Sequence, residues 1–167
     1  MIDQPEVFRV LFVCSGNTCR SPLAEALARR DLEARGWDEL VEVTSAGTGA
    51  MHGATASKGS MAVAASVGLD LADHRSKPLT SDLVAEAHLI LTMGTSHLQS
   101  VLDLGGEGRG FVISSFAEGT DEVLGWSVPD PFGGNLDIYM ETLQTLEELV
   151  RRAVGRLEPQ PSNGADT

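Results

Sequence analysis

The stretch "FRVLFVCSGNTCRSPLAEALARRDLEARG", from Phe8 to Gly36, constrains the fold more than any other part of the chain. Phe8 to Val13 is a short apolar run of branched and aromatic residues, which suits a strand buried on both faces. Ser21 is read as the cap of a following helix, with Pro22 in its first turn. Leu23, Ala24, Leu27, Ala28 and Leu32 give that helix an apolar stripe, and Gly36 ends it. Leu40 to Ser45 is the next strand. Strand, loop, helix and strand in this order predict a parallel pair with a right-handed crossover.

The alternation continues. Helices are expected at Ser57 to Val67, Thr80 to Ala87 and Thr95 to Leu102, with strands at His88 to Met93 and Phe111 to Ser114. A long loop then runs from Phe116 to Gly134. The last helix starts near Leu136, with Tyr139, Leu143, Leu146, Val150, Val154 and Leu157 as its stripe. The class is therefore α/β, with one domain over 1–157 and a polar tail over 158–167 expected to be disordered. A net charge of −12 leaves no basic face for nucleic acid. No apolar run reaches the length of a membrane span. A soluble cytoplasmic protein with reduced thiols is expected.

Both cysteines lie in one loop, "CSGNTCRSP", from Cys14 to Pro22. Cys14 falls at the carboxyl end of the first strand, where open parallel sheets bind ligands. Backbone N–H groups from Ser15 to Arg20, leading into a helix N-terminus, can converge on an anion. Gly16 and Asn17 tolerate the left-handed backbone such a loop needs. Arg20 adds a planar fork of donors for phosphate oxygens. Helix N-termini and cations favour thiolate, so Cys14 reads as a nucleophile for phosphorus and Ser21 as a hydrogen-bond partner that helps it leave. Taken alone, a cysteine at a strand end is more often a buried hydrophobe. Here strand, Gly-Asn turn, arginine and helix fall in register. No further cysteine pair or histidine pair completes a metal site, and no cofactor is implied.

Phosphoryl transfer also needs an acid. Asp130, between Pro129 and Pro131 in "SVPDPFGG", is the best candidate, although a turn aspartate is the ordinary reading of any Asp-Pro. His52, His88 and His97 lie in no catalytic context, Trp37 and Trp126 read as partial core or loop anchors, and Tyr139 as core.

These stretches, with "SAGT" at Ser45 to Thr48, "DHRSKPLT" at Asp73 to Thr80, "LILTM" at Leu89 to Met93 and "DPFGG" at Asp130 to Gly134, resemble the low-molecular-weight protein tyrosine phosphatases in family order. The resemblance implies a four-stranded parallel sheet flanked by helices, no metal and no cofactor, and phosphorylated proteins as substrates. It implies a two-step reaction in which Cys14 attacks phosphorus, Arg20 and the loop N–H groups hold the equatorial oxygens, and Asp130 serves as acid and then base. Ser15, Gly16, Asn17, Thr18, Cys19 and Phe132 would then surround the substrate. The positions of Asn17 and His74 brace the loop in the family, and Cys19 occupies the position of a reversible disulfide partner for Cys14.

Tyrosine-directed members usually carry a bulky aliphatic residue at the position of Thr18, an apolar one at Ser15 and aromatics at Phe132 and Gly133. Serine, threonine and Phe-Gly-Gly, with "LDIY" at Leu136 to Tyr139, resemble instead the bacterial protein-arginine phosphatase branch. Phosphoarginine is thus the favoured substrate and phosphotyrosine the alternative. Arsenate reductases share the loop but relay a disulfide through further cysteines, and none follows Cys19. A non-catalytic phosphate-binding or redox-sensing module is the remaining class, and it would not need both Arg20 and Asp130.

Overall fold

A computed structural model describes residues 6–120 and 122–159. The expected tail lies outside the described residues from position 160 onward. The elements run β1 (Phe8–Cys14), α1 (Arg20–Arg35), β2 (Val41–Gly47), α2 (Lys58–Ser66), α3 (Ser81–Glu86), β3 (Leu89–Thr92), α4 (Thr95–Asp103), β4 (Gly110–Val112), α5 (Ile113–Glu118) and α6 (Leu136–Gly155). The sheet has four strands in the order β2-β1-β3-β4, all parallel. This is the α/β class that the alternation predicted.

The pleat of β1 explains the two layers. Val10, Phe12 and Cys14 face a core shared with Leu23, Leu27, Leu143 and Leu146 of α1 and α6. Leu11 and Val13 face the other way, onto Val84, Ala87 and Val101 around α3 and α4. A strand covered on both sides cannot alternate apolar with polar, so β1 reads as a continuous apolar run. Full burial of each large side chain contributes up to about 1.5–3 kcal/mol. The central strand is therefore the stiffest place to hang a loop.

Several boundaries differ from the sequence reading. Gly36 closes α1 with φ 75, as expected, but Cys19 rather than Ser21 stands at its N-cap and offers no side-chain capping bond. β2 runs to Gly47 rather than Ser45, so that Cys14 and Gly47 end their strands side by side. The fourth strand is Gly110–Val112, and Ile113, Ser114 and Phe116 belong to the six-residue helix α5. The run "FVIS" has strand propensity, but a turn of helix continues it. Trp126 is exposed and donates Nε1–H to Glu118.

Candidate active site

The loop Cys14 to Arg20 turns on one residue. Asn17 has φ 55, left-handed, and is fully buried. Asparagine is one of few side chains that accept this conformation, and here its amide is fully used. Its Nδ2 donates to Ser21 Oγ at 2.7 Å and to Ser45 Oγ at 2.9 Å, while Oδ1 accepts from the Lys77 N–H at 3.0 Å. His74 Nε2 meets its carbonyl oxygen at 2.7 Å. The segments "SAGT" and "DHRSKPLT" are thus the wall behind the loop. Gly47 belongs to that wall because a Cβ there would lie 2.5 Å from the Ser15 carbonyl oxygen and 2.9 Å from the Asn17 nitrogen.

Cys14 Sγ lies 2.9 Å from Ser21 Oγ and accepts the Asn17 N–H at 3.3 Å. Ser21 Oγ already accepts from Asn17, so its own proton is free for sulfur. Two hydrogen-bond contacts thus fix the sulfur at the floor of the loop. This explains why Ser21 is not the helix cap: its hydroxyl is turned to Cys14.

Arg20 is buried and bent over the same space. Its Nη1 donates to the Val128 carbonyl at 2.9 Å, and Nη2 lies 3.4 Å from Ser15 Oγ and 3.6 Å from Asp130 Oδ2. Its Nε is buried and has no hydrogen-bond partner among the described residues. A buried donor of a charged group left unanswered is costly, and an oxyanion would answer it. Asp130 is half exposed, with Oδ1 accepting the Phe132 N–H at 3.1 Å. The Asp-Pro turn thereby keeps Oδ2 toward the arginine.

Cys14, Gly16, Thr18, Cys19, Arg20, Asp130 and Phe132 line a cavity of about 150 Å³. Two wider surface clefts, of about 480 and 410 Å³, contain no cysteine among their lining residues. Nucleophile and oxyanion donors, not volume, mark the site. Ser15 and Asn17 stand beside and behind the cavity rather than in its lining. Thr18 and Cys19 are held by α2: Ser57 N–H donates to the Thr18 carbonyl at 2.9 Å, and Ser60 Oγ to that of Cys19 at 3.1 Å. The Cys19 thiol donates to Ser57 Oγ at 3.3 Å and lies 3.5 Å from the Tyr139 hydroxyl. Tyr139 is buried, as expected, and burial raises its phenol above its ordinary range. Both cysteines are free thiols.

His97 is the residue the sequence reading set aside and the structure brings in. It is buried, and Nε2 lies 2.9 Å from Ser15 Oγ. Burial lowers the ring to about 4, the Arg20 guanidinium acts in the same direction, and Asp130 opposes them. The ring is therefore neutral at neutral pH. No local pattern announces this contact, because its partner is 82 residues away.

The arrangement gathers a thiol, an arginine and a rim carboxylate around one cavity, the kinds of group that phosphoryl transfer can use. The profile of the family described as "Low molecular weight phosphotyrosine protein phosphatase" matches residues 9–162. The protein-arginine-phosphatase of Bacillus subtilis (strain 168) is 37% identical over 151 residues, 89% of this chain and 96% of that protein. A probable low molecular weight protein-tyrosine-phosphatase, EpsP, of Ralstonia nicotianae is 35% identical over 148 residues, 89% of this chain and 94% of that one. Among solved structures, a cysteine-to-serine mutant of the YwlE arginine phosphatase with a phosphorylated active-site serine superposes with a TM-score of 0.82 at 36% identity, covering 90% of this chain and 96% of that one.

Proposed function

Because the chain belongs to the low molecular weight phosphotyrosine protein phosphatase family and is a phosphoprotein phosphatase, we propose that it hydrolyses phosphoarginine in cytoplasmic proteins through a cysteinyl-phosphate on Cys14. The observation that carries the reading is one cavity lined by Cys14, Arg20 and Asp130 together. In the first step the S–P bond forms as the P–N bond breaks, and Asp130 delivers a proton to the leaving guanidine nitrogen. In the second step Asp130 takes a proton from water as its oxygen attacks phosphorus. Inorganic phosphate leaves, and Cys14 departs as thiolate with the Ser21 hydroxyl against it. Arg20 and the loop N–H groups hold the equatorial oxygens in both transition states.

Thr18 in the cavity lining supports phosphoarginine, because a hydroxyl answers guanidinium N–H groups that a methyl group leaves bare. Phe132 supports phosphotyrosine as the second reading, because a ring 76% exposed at the rim offers a face to an aromatic substrate. The kcat/KM on matched phosphoarginine and phosphotyrosine peptides, in the wild type and in Thr18→Ile, separates them. We expect the wild type to favour phosphoarginine and the variant to shift toward phosphotyrosine. A wild-type preference for phosphotyrosine unmoved by Thr18→Ile overturns the arginine reading.

A further inference from the structure

Arg20 lines the cavity with both of its terminal nitrogens held by protein oxygens and its Nε buried without a partner among the described residues. Val128, which accepts from Nη1, is itself pinned where its N–H donates to the Met93 carbonyl at 2.8 Å. Ser15, which accepts from Nη2, meets His97 at 2.9 Å. Met93 follows directly on β3, and His97 lies in the first turn of α4. Both arms of the guanidinium fork are thus referred to one short corner of the fold, between the end of β3 and the start of α4. Gly94 lets that corner close: a Cβ there would lie 2.7 Å from Ser127 Oγ and 3.6 Å from His97 Nδ1.

We propose that His97 is a positioning residue for Arg20 and acts through the Ser15 hydroxyl. Arginine only donates, so Ser15 Oγ must accept on that side. A hydroxyl has one proton, and the neutral ring takes it at Nε2. This fixes the rotor of Ser15 with a lone pair toward Nη2, and the guanidinium is held in one orientation at the cavity wall. A cationic ring would reverse the bond and repel the guanidinium. The ring is kept neutral by its burial and by Arg20, with Asp130 as the opposing charge. His97 Nδ1 is buried without a hydrogen-bond partner among the described residues. With Nε2 accepting, the ring proton sits on this Nδ1.

The proposal rests on the phosphatase reading, and the test separates the two. Steady-state kinetics on an aryl phosphate, with thermal melting as the fold control, compare wild type, Cys14→Ser, Ser15→Ala, His97→Gln, His97→Leu and the Ser15→Ala/His97→Leu double variant. We expect Ser15→Ala and His97→Leu each to lower kcat/KM by about 10–100-fold, the loss of one hydrogen bond to a charged group, and mostly in kcat. The double variant should be no worse than the poorer single by more than roughly threefold, because both act through one contact. His97→Gln, whose amide oxygen can accept the Ser15 proton, should recover most of the loss. An inactive wild type, or an active Cys14→Ser, fails the phosphatase reading. A wild type that needs Cys14 while Ser15→Ala retains full activity overturns this proposal alone, whatever His97→Leu does to folding. Multiplying effects in the double variant also overturn it.

Discussion

Between Cys14 and Arg20 the side chains of Cys14, Asn17, Cys19 and Arg20 are buried, whereas between Val123 and Gly134 the chain carries Leu124, Trp126 and Phe132 in solvent. The first loop is tied by its own side chains to two wall segments. The second touches the body mainly through backbone, at Val112–Val123, Ser114–Trp126, Met93–Val128 and Arg20–Val128. Both loops reach the same cavity. Cys14, the proposed nucleophile, thus sits in a buried loop, and Asp130, the proposed proton donor, in an exposed one. Substitutions in the buried loop should cost folding energy as well as rate, and those in the exposed loop rate alone.

The largest effect expected is on chemistry. Cys14→Ser should lose turnover to background while the variant still folds, with a lower melting temperature because the position is buried, and measurable turnover would end the assignment. On the opposite loop, Asp130→Asn should lose about 10²–10⁴-fold in kcat. That loss should shrink for good leaving groups, while stability stays within about 0.5 kcal/mol. A loss equal for good and poor leaving groups would remove Asp130 from the acid role.

Asn17→Ala sharpens the contrast. It strips partners from Ser21, Ser45 and the Lys77 N–H and leaves a left-handed residue without its amide. About 2–4 kcal/mol of stability should go, or roughly 4–16 °C in melting for a chain of this size. Phe132→Ala, by comparison, should raise KM with stability within about 0.5 kcal/mol. If calorimetry finds the two variants equally stable, the distinction between the loops fails.

A smaller effect comes from pH. The folded His97 titrates at about 4, against 6.5 for an ordinary histidine. Below 6.5 the unfolded chain takes up a proton that the folded one refuses, so stability is full above that pH. It is lost as pH falls from 6.5 toward 4, by at most about 3 kcal/mol. Denaturant titrations across this window should show the decline in the wild type and a shallower one in His97→Gln.

The contrast between the loops also decides what the sequence could reveal. β1, the phosphate loop and α1 are contiguous, and their cues are local: an apolar run, a Gly-Asn turn, a stripe and a closing glycine. Ser21 was visible as a polar residue at a helix start, but its hydroxyl is used on Cys14, a competition that only the folded distance resolves. The helix α5 escapes the sequence reading because Phe111, Val112 and Ile113 form one apolar run with strand propensity across its start. His97 looked ordinary because a polar residue in the first turn of a nine-residue helix is common. Its meaning lies in a contact with Ser15 that no spacing encodes.

The unpartnered Nε of Arg20 has a consequence for the reaction's end rather than its beginning. Whatever oxyanion completes that donor is bound, and inorganic phosphate, the product of the second step, carries the same oxygens as the substrate group. Under the proposed reaction, product inhibition follows from the pocket itself. Phosphate should compete with substrate, and vanadate, which can adopt five-coordinate geometry, should compete more strongly. Each should raise the melting temperature in proportion to the logarithm of its concentration once above its Kd.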